Sequence, residues 1–340
     1  MADERPEPAA ATVERRGQRV ALVYNPTKVN PATLRARVTQ LSTAAGWSAP
    51  LFFETTVDDL GGRATEQALL EGVDAVLVAG GDGTVRAVAE ALTGTGMPMT
   101  IVPSGTGNLL ARNLNLPLGD PDAMIRATFD GDRHPVDACV ARLRRPDGTT
   151  EEHGFVVMAG MGLDAAMIAN TNPQLKKTVG WVAYVDGAAR SLVGAKPFRI
   201  MYQLDDHRLH AAKVHSILFA NCGTLPAGIE LIPGASIDDG LMDVAVIQPT
   251  GPFGWLGVWR KVAWDNSVLR RFRAGRRVLE RRRDSSVRYL RGHEMETATA
   301  PAQPVELDGD EFGEATRIHC WIVPGGLQIV LPRGHDTSKL

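Results

Sequence analysis

Val76-Leu77-Val78-Ala79-Gly80-Gly81-Asp82-Gly83-Thr84-Val85 is an apolar run that stops in three glycines and an aspartate, then restarts as a helix. Val85, Val88, Ala89 and Leu92 recur at i, i+3, i+4 and i+7, which predicts one buried helical face. A buried strand, a glycine turn and a helix N-terminus together make a place for phosphate. Glycine lets the backbone approach an anion closely, and the first amides of a helix have no internal partner.

Outward from this turn, strands and helices alternate. Arg19–Tyr24 reads as a buried strand ending in Asn25-Pro26, followed by a helical pattern at Leu34, Val38 and Leu41. A strand at Pro50–Phe53, a helix over Gly62–Glu71 and the strand Ala75–Ala79 lead into the glycine turn. After its helix come Met99–Val102, then Pro103-Ser104-Gly105-Thr106-Gly107-Asn108 and another helix. The alternation predicts a parallel sheet with helices on both faces, and ligands on such sheets bind at the carboxyl ends of the strands. Those ends carry Asn25, Gly80–Thr84 and Ser104–Asn108, three polar turns on one rim. Beyond residue 135 the segments Val136–Leu143, His153–Ala159, Phe198–Leu204, Lys213–Ala220 and Met242–Ile247 are short and β-like, which predicts a mostly antiparallel second domain. Pro304–Leu307 and Arg317–Val323 flank Asp308-Gly309-Asp310-Glu311, a hairpin tip. The organisation expected is a polar tail at 1–17, an α/β domain at 18–135, a β-rich domain at 136–333 and a short tail at 334–340.

Composition removes several function classes. A net charge of −2 gives no basic field for nucleic acid, and no nucleic-acid partner is expected. Three cysteines without a CxxC argue against a disulfide scaffold and a structural zinc, and fit a reducing cytoplasm. No apolar run reaches the ~18–20 residues that span a bilayer. No GxxxxGK[ST] occurs, so the turn is not a P-loop, and the HRD and DFG partners of a protein-kinase glycine loop are absent.

VLVAGGDGTVRAVAEAL at 76–92, followed by MTIVPSGTGNLLARNLNLP at 99–117, resembles the catalytic domain of the diacylglycerol kinase family, which includes bacterial soluble lipid kinases and sphingosine kinases. The resemblance continues through Val23-Tyr24-Asn25-Pro26, Met158–Ala165, Asp238–Asp243 and Val305–Asp310, and so covers most of residues 19–333. It implies an α/β nucleotide-binding domain that binds ATP with Mg²⁺, a C-terminal β-sandwich, and an active cleft between them. The acceptor it implies is a lipid hydroxyl at a membrane surface, of diacylglycerol or a related glycerolipid, with a sphingoid base as second choice. Two other readings stand beside it: an NAD-kinase-like kinase of a soluble acceptor, and a non-catalytic nucleotide-binding relative.

Phosphoryl transfer needs positioning and charge neutralisation more than covalent chemistry. The amides of Gly80, Gly81 and Gly83 are expected to cradle phosphates, with Val85 in the same stretch. Thr84 caps the helix or donates to a phosphate. Asp82 is the expected organiser of Mg²⁺, directly or through water, or else a helix cap. Arg86, where the family often has an amide, reaches phosphate or points to solvent. Thr106 and Asn108 are expected to hold the nucleotide from the second turn. The resemblance adds Asn25 and a threonine, Thr56 or its neighbour Thr55. It places the general base in an Asp-Gly-Glu turn, matched here by Asp308-Gly309-Asp310, so Asp310 is the expected base, with Glu311 beside it. It also maps a structural Mg²⁺ to Ser236, Asp239 and Leu241, where a plain acidic turn is the alternative.

Two further features are less specific. Gly160–Ala165 fits GxGxxA with Asp186 beyond it, yet lies in β-rich sequence without a βαβ unit, and is read as lining the cleft. Trp255, Trp259 and Trp264 precede Arg270, Arg271, Arg273, Arg276, Arg277 and Arg281–Arg283, either a membrane-docking surface or a packed helix followed by a solvated basic one. The sequence is also compatible with a homodimer.

Overall fold

The computed structural model describes residues 17–162, 197–225, 229–232, 234–248, 287–338 and 340. The Trp255–Arg283 region, Asp164, Ala165 and Asp186 lie outside them. Among the described residues, no helix is long and apolar enough to cross a membrane.

Four parallel strands build the first domain: β1 (Val20–Tyr24), β2 (Leu51–Glu54), β3 (Ala75–Gly80) and β4 (Pro98–Pro103), in the order β4-β3-β1-β2. β1 and β3 are buried along their whole length, as unbroken apolar strands covered on both faces must be. Helices α1 (Pro31–Ala44) and α5 (Pro121–Asp130) pack together, and α2 (Gly62–Leu70) packs on α3 (Asp82–Leu92). Right-handed crossovers demand this division, because the chain leaves β1 in one direction and then returns past it to β3. Local chemistry starts each helix. Asn30 and Asp120 cap α1 and α5 with proline at the next position, and the Asp59 carboxylate accepts the amides of Gly61, Arg63 and Ala64 to open α2. Arg37 forks onto Asp122 and ties α1 to α5. On α3 the four residues of the apolar stripe, Val85, Val88, Ala89 and Leu92, are all buried, as their spacing predicts.

The second domain is antiparallel and continuous with the first. β5 (Asp132–Arg144), β6 (Thr150–Phe155), β7 (Met158–Met161), β8 (Phe198–Leu204), β9 (His210–Val214), β10 (Ser216–Ala220), β13 (Met242–Ile247), β14 (Val287–Gly292), β15 (Glu294–Leu307) and β16 (Asp310–Leu331) carry it, with the small pair β11 (Thr224–Leu225) and β12 (Ile229–Glu230) alongside. β15 pairs with β8 near Glu294 and with β7 near Leu307, with register shifts between. One strand thus serves two layers, and the sheet folds over a shared core of Leu143, Phe155, Met161, Phe219, Met242 and Ile318. Its last strand also joins the sheet of the first domain. β16 runs back beside β5, shifts register between Val323 and Leu327, and pairs in parallel with β4 at Gln328 and Ile329. Leu327, Ile329 and Leu331 enter the first core. Met158–Met161, the start of the GxGxxA match, is a strand paired antiparallel with β10 and β15, which no dinucleotide-binding βαβ unit would be.

His153–Ala159 reads in sequence as one strand, but the chain breaks at Val156–Val157. The cause is Asp308, whose buried carboxylate accepts the amides of Val156, Val157 and Met158, each at 2.8 Å. Burial pushes its carboxyl up, to about 6, against those three bonds. Asp308 and Gly309 have φ of 50° and 88°, so this Asp-Gly forms the tight two-residue hairpin its sequence allows. Replacing Asp308 by Ala orphans three buried amides, and should cost roughly 3 kcal/mol or more in urea unfolding at about 1–3 kcal/mol per group. An unchanged midpoint would show that the clamp is dispensable.

Candidate active site

The register of β3 on β4 sets Gly80 opposite Pro103, so both polar turns leave the sheet side by side. The Ser104 amide donates to the Gly80 carbonyl at 3.2 Å. Three glycines are required here by contact, not by φ. A Cβ on Gly105 would lie 2.8 Å from the Gly81 Cα, one on Gly107 would lie 2.5 Å from Asp82 Oδ2, and one on Gly80 would strike the Thr84 side chain at 2.6 Å. The two loops therefore touch backbone to backbone.

Asp82 makes the junction. It stands at the first position of α3, yet its carboxylate accepts the amides of Asn108 at 3.0 Å and Leu109 at 2.6 Å, the start of the next helix, α4 (Leu109–Asn113). It caps a neighbouring helix, not its own. α3 begins at Gly81 without any side-chain cap, so its first amides face the rim with the positive end of the helix dipole behind them. A doubly bonded carboxylate keeps further lone pairs, and Mg²⁺ is commonly held by one or two carboxylates plus substrate phosphates, so Asp82 fits that ion.

The remaining first-domain candidates divide sharply. Asn108, at φ 49°, folds its carboxamide back onto Gly105, accepting its amide and donating to its carbonyl. It shapes the loop, while Thr106 is exposed on the rim. Asn25 Oδ1 accepts both the amide and the hydroxyl of Thr27. Thr55 is buried, and the hydroxyl of exposed Thr56 accepts the Asp59 amide in the turn before α2. Val85 lies in the core with its amide on the Gly81 carbonyl, so its side chain cannot meet a ligand.

Asp310 arrives from the second domain. It opens β16, and a Cβ on Gly83 would lie 3.0 Å from its Oδ2, so the carboxylate rests against the first turn of α3. It is 38% exposed and open to a substrate. Arg86 neither points to solvent nor stands free for phosphate. Only 7% of its side chain is exposed, with Nε 3.3 Å from Asp310 Oδ2 and Nη1 2.9 Å from Glu90 Oε2. Its guanidinium stacks 4.8 Å from the Phe312 ring centroid. His153 meets the same ring at 4.6 Å in a tilted contact, and its bond to Glu90 raises the imidazole's pKa against the opposing effect of burial. Burial pushes the Glu90 carboxyl up, but His153, the Gly154 amide and Arg86 outweigh it and hold it below the usual range. Sequence spacing gives no sign of this cluster, which joins residues from α3, β6 and β16.

The turn at 236–241 does not fit the expected cation. Asp239 and Asp243 both meet Arg291, at 3.3 and 2.9 Å, and Asp238 meets His134 at 3.0 Å. The Ser236 hydroxyl lies 2.8 Å from Asp238 Oδ1, and the Leu241 amide donates to Asp239. A guanidinium from β14 already balances this charge. Among the described residues, no group of three or more His, Cys, Asp or Glu side chains is gathered for a metal.

Comparison with known proteins agrees with this two-domain arrangement. Residues 19–141 match the diacylglycerol kinase catalytic domain, and residues 156–331 match the YegS C-terminal NAD kinase β-sandwich-like domain. The chain is 32% identical over 282 residues to a Pseudomonas aeruginosa protein named "Probable lipid kinase YegS-like", covering 82% of this chain and 83% of that one. It is 30% identical over 181 residues to a diacylglycerol kinase of Mycobacterium tuberculosis, an alignment spanning 53% of this chain and only 57% of the relative's length. A crystal structure of a diacylglycerol kinase from Bacillus anthracis superposes with a TM-score of 0.64 at 18% identity, over 94% of this chain and 99% of that one, a likeness of fold. With both halves matched in order and a relative aligned along four-fifths of its length, the chain belongs to the diacylglycerol kinase catalytic-domain family, in its two-domain YegS-like form.

Proposed function

We propose that this protein is an ATP-dependent lipid kinase that phosphorylates a lipid hydroxyl, with diacylglycerol or a related glycerolipid as acceptor ahead of a sphingoid base. The observation that carries the reading is the contact of the Asp310 carboxylate with Gly83, a base set over the uncapped N-terminus of α3. The amides of that turn receive phosphate oxygens, and the abutting loop around Thr106 closes the nucleotide's other side. Asp310 accepts the proton of the acceptor hydroxyl as its oxygen bonds the γ-phosphorus and the bond to the β–γ bridging oxygen breaks. Mg²⁺, held through Asp82 and the phosphates, would neutralise charge on the transferred group. A lipid acceptor brings the protein to a membrane surface, a peripheral contact for which the Trp255–Arg283 stretch is the sequence's candidate.

Purified protein should consume ATP with diacylglycerol in mixed micelles, and not with NAD or without an acceptor. Turnover on NAD alone, or on nothing offered, would sink the reading. Asp310→Asn should lower kcat by about 10²–10⁴-fold, the range of a lost general base, with binding of a fluorescent ATP analogue retained. Gly105→Ala forces the two loops apart, and should weaken analogue binding by at least ~10-fold, about 1.4 kcal/mol.

A further inference from the structure

Arg86 is a buried cation placed between two carboxylates from different domains, and the mechanism above leaves it without a task. Its Nε reaches Asp310 and its Nη1 reaches Glu90, so the planar fork spans the cleft. The fork itself is fixed. Phe312, two residues beyond Asp310 on β16, lies with its ring centroid 4.8 Å from the guanidinium and meets the His153 ring at 4.6 Å in a tilted contact. Glu90 is held in turn by His153, Nδ1 to Oε1 at 3.8 Å, and His153 also faces Glu151 at 3.4 Å. Arg145 closes the outer end, paired with Glu151 at 2.7 Å and donating to the Phe312 carbonyl. An aspartate has two side-chain torsions, and Asp310 sits on a hairpin that is 38% exposed at this residue. Left alone, its carboxylate would sample several rotamers. Bound to Arg86 through Oδ2 and backed by Gly83, it has one place to be, with Oδ1 left for a hydroxyl proton.

We propose that Arg86 is a positioning residue for the Asp310 base, fixing its carboxylate from across the cleft, and that Glu90 and Phe312 fix Arg86. The role rests on the kinase reading. It differs from phosphate binding, because the guanidinium is spent on two carboxylates and an aromatic face. It also differs from a simple structural tie, because its loss should appear in kcat before nucleotide affinity.

The test compares wild-type, Arg86→Gln, Arg86→Lys and Glu90→Gln full-length chains, measuring kcat and the KM for ATP with diacylglycerol micelles, binding of a fluorescent ATP analogue, and circular dichroism. Arg86→Gln should lower kcat by about 100-fold, the scale of an ångström's misplacement, with KM for ATP and analogue affinity within about twofold. Arg86→Lys should recover about tenfold of that loss, since an ammonium can meet one carboxylate but cannot span both. Glu90→Gln should cost about tenfold in kcat by loosening the fork. A folded Arg86→Gln protein with near-wild-type kcat would overturn the proposal, as would a fall in analogue affinity equal to the fall in kcat. If Arg86→Gln does not fold, Glu90→Gln decides on the same two criteria. A wild-type protein that phosphorylates no lipid ends the kinase reading and this role with it, whereas active wild type beside equally active Arg86→Gln ends this role alone.

Discussion

The bond from the Asp82 carboxylate to the amides of Asn108 and Leu109 is the constraint on which the site depends. Two loops that leave adjacent strands would otherwise repel, since each exposes unpaired helix-start amides of the same sign. A carboxylate between them satisfies two of those donors and turns the repulsion into a joint. Charged acceptors make such bonds stronger than neutral ones, by roughly a factor of two. The glycines follow from it: once Asp82 draws the loops together, no Cβ fits at 105 or 107. Glycine at these positions is a packing requirement, with the close approach of the two loops as its result.

The second domain answers with another carboxylate. Asp308 spends both oxygens on three consecutive amides, and so sets the hairpin tip against the turn between β6 and β7. Its neighbour but one, Asp310, inherits that placement. Within one Asp-Gly-Asp, the first aspartate is buried and structural and the second is partly exposed and faces the other domain. Their environments, and not their identities, separate the roles.

The parallel half of the fold was legible because its signals are local. The apolar runs of β1 and β3, the stripe from Val85 to Leu92 and the proline after the caps of α1 and α5 all act within a few residues. The position of Asp310 was legible through its resemblance to a family turn. What could not be read depends on partners far along the chain. Asp82 reads in sequence as an organiser of Mg²⁺ or a cap for its own helix, and no sequence pattern announces an acceptor aimed at residue 109. The acidic turn at 236–241 reads in sequence as a metal site or a plain acidic turn, because the cation that pairs with Asp239, Arg291, stands more than fifty positions away from Ser236. Arg86 reads in sequence as reaching phosphate or facing solvent because its cluster with Glu90, His153 and Asp310 draws on three elements. His153–Ala159 looked like one strand because the residue that breaks it is Asp308.

β5 and β16 run from one core into the other, and they do so as a paired ribbon. At the crossing, the ladder loses its register over Pro324-Gly325-Gly326, and the Asp137 carboxylate accepts the amides of both Gly240 and Gly325 at 2.7 Å. The Gly326 carbonyl is bonded to Gly94, in the loop after α3. A two-stranded ribbon resists stretching and shear along its hydrogen bonds but bends where the bonds are missing. The weakest point of the ribbon between the two cores is therefore this bulge, and Asp137 braces it by accepting from Gly240 on one side and Gly325 on the other.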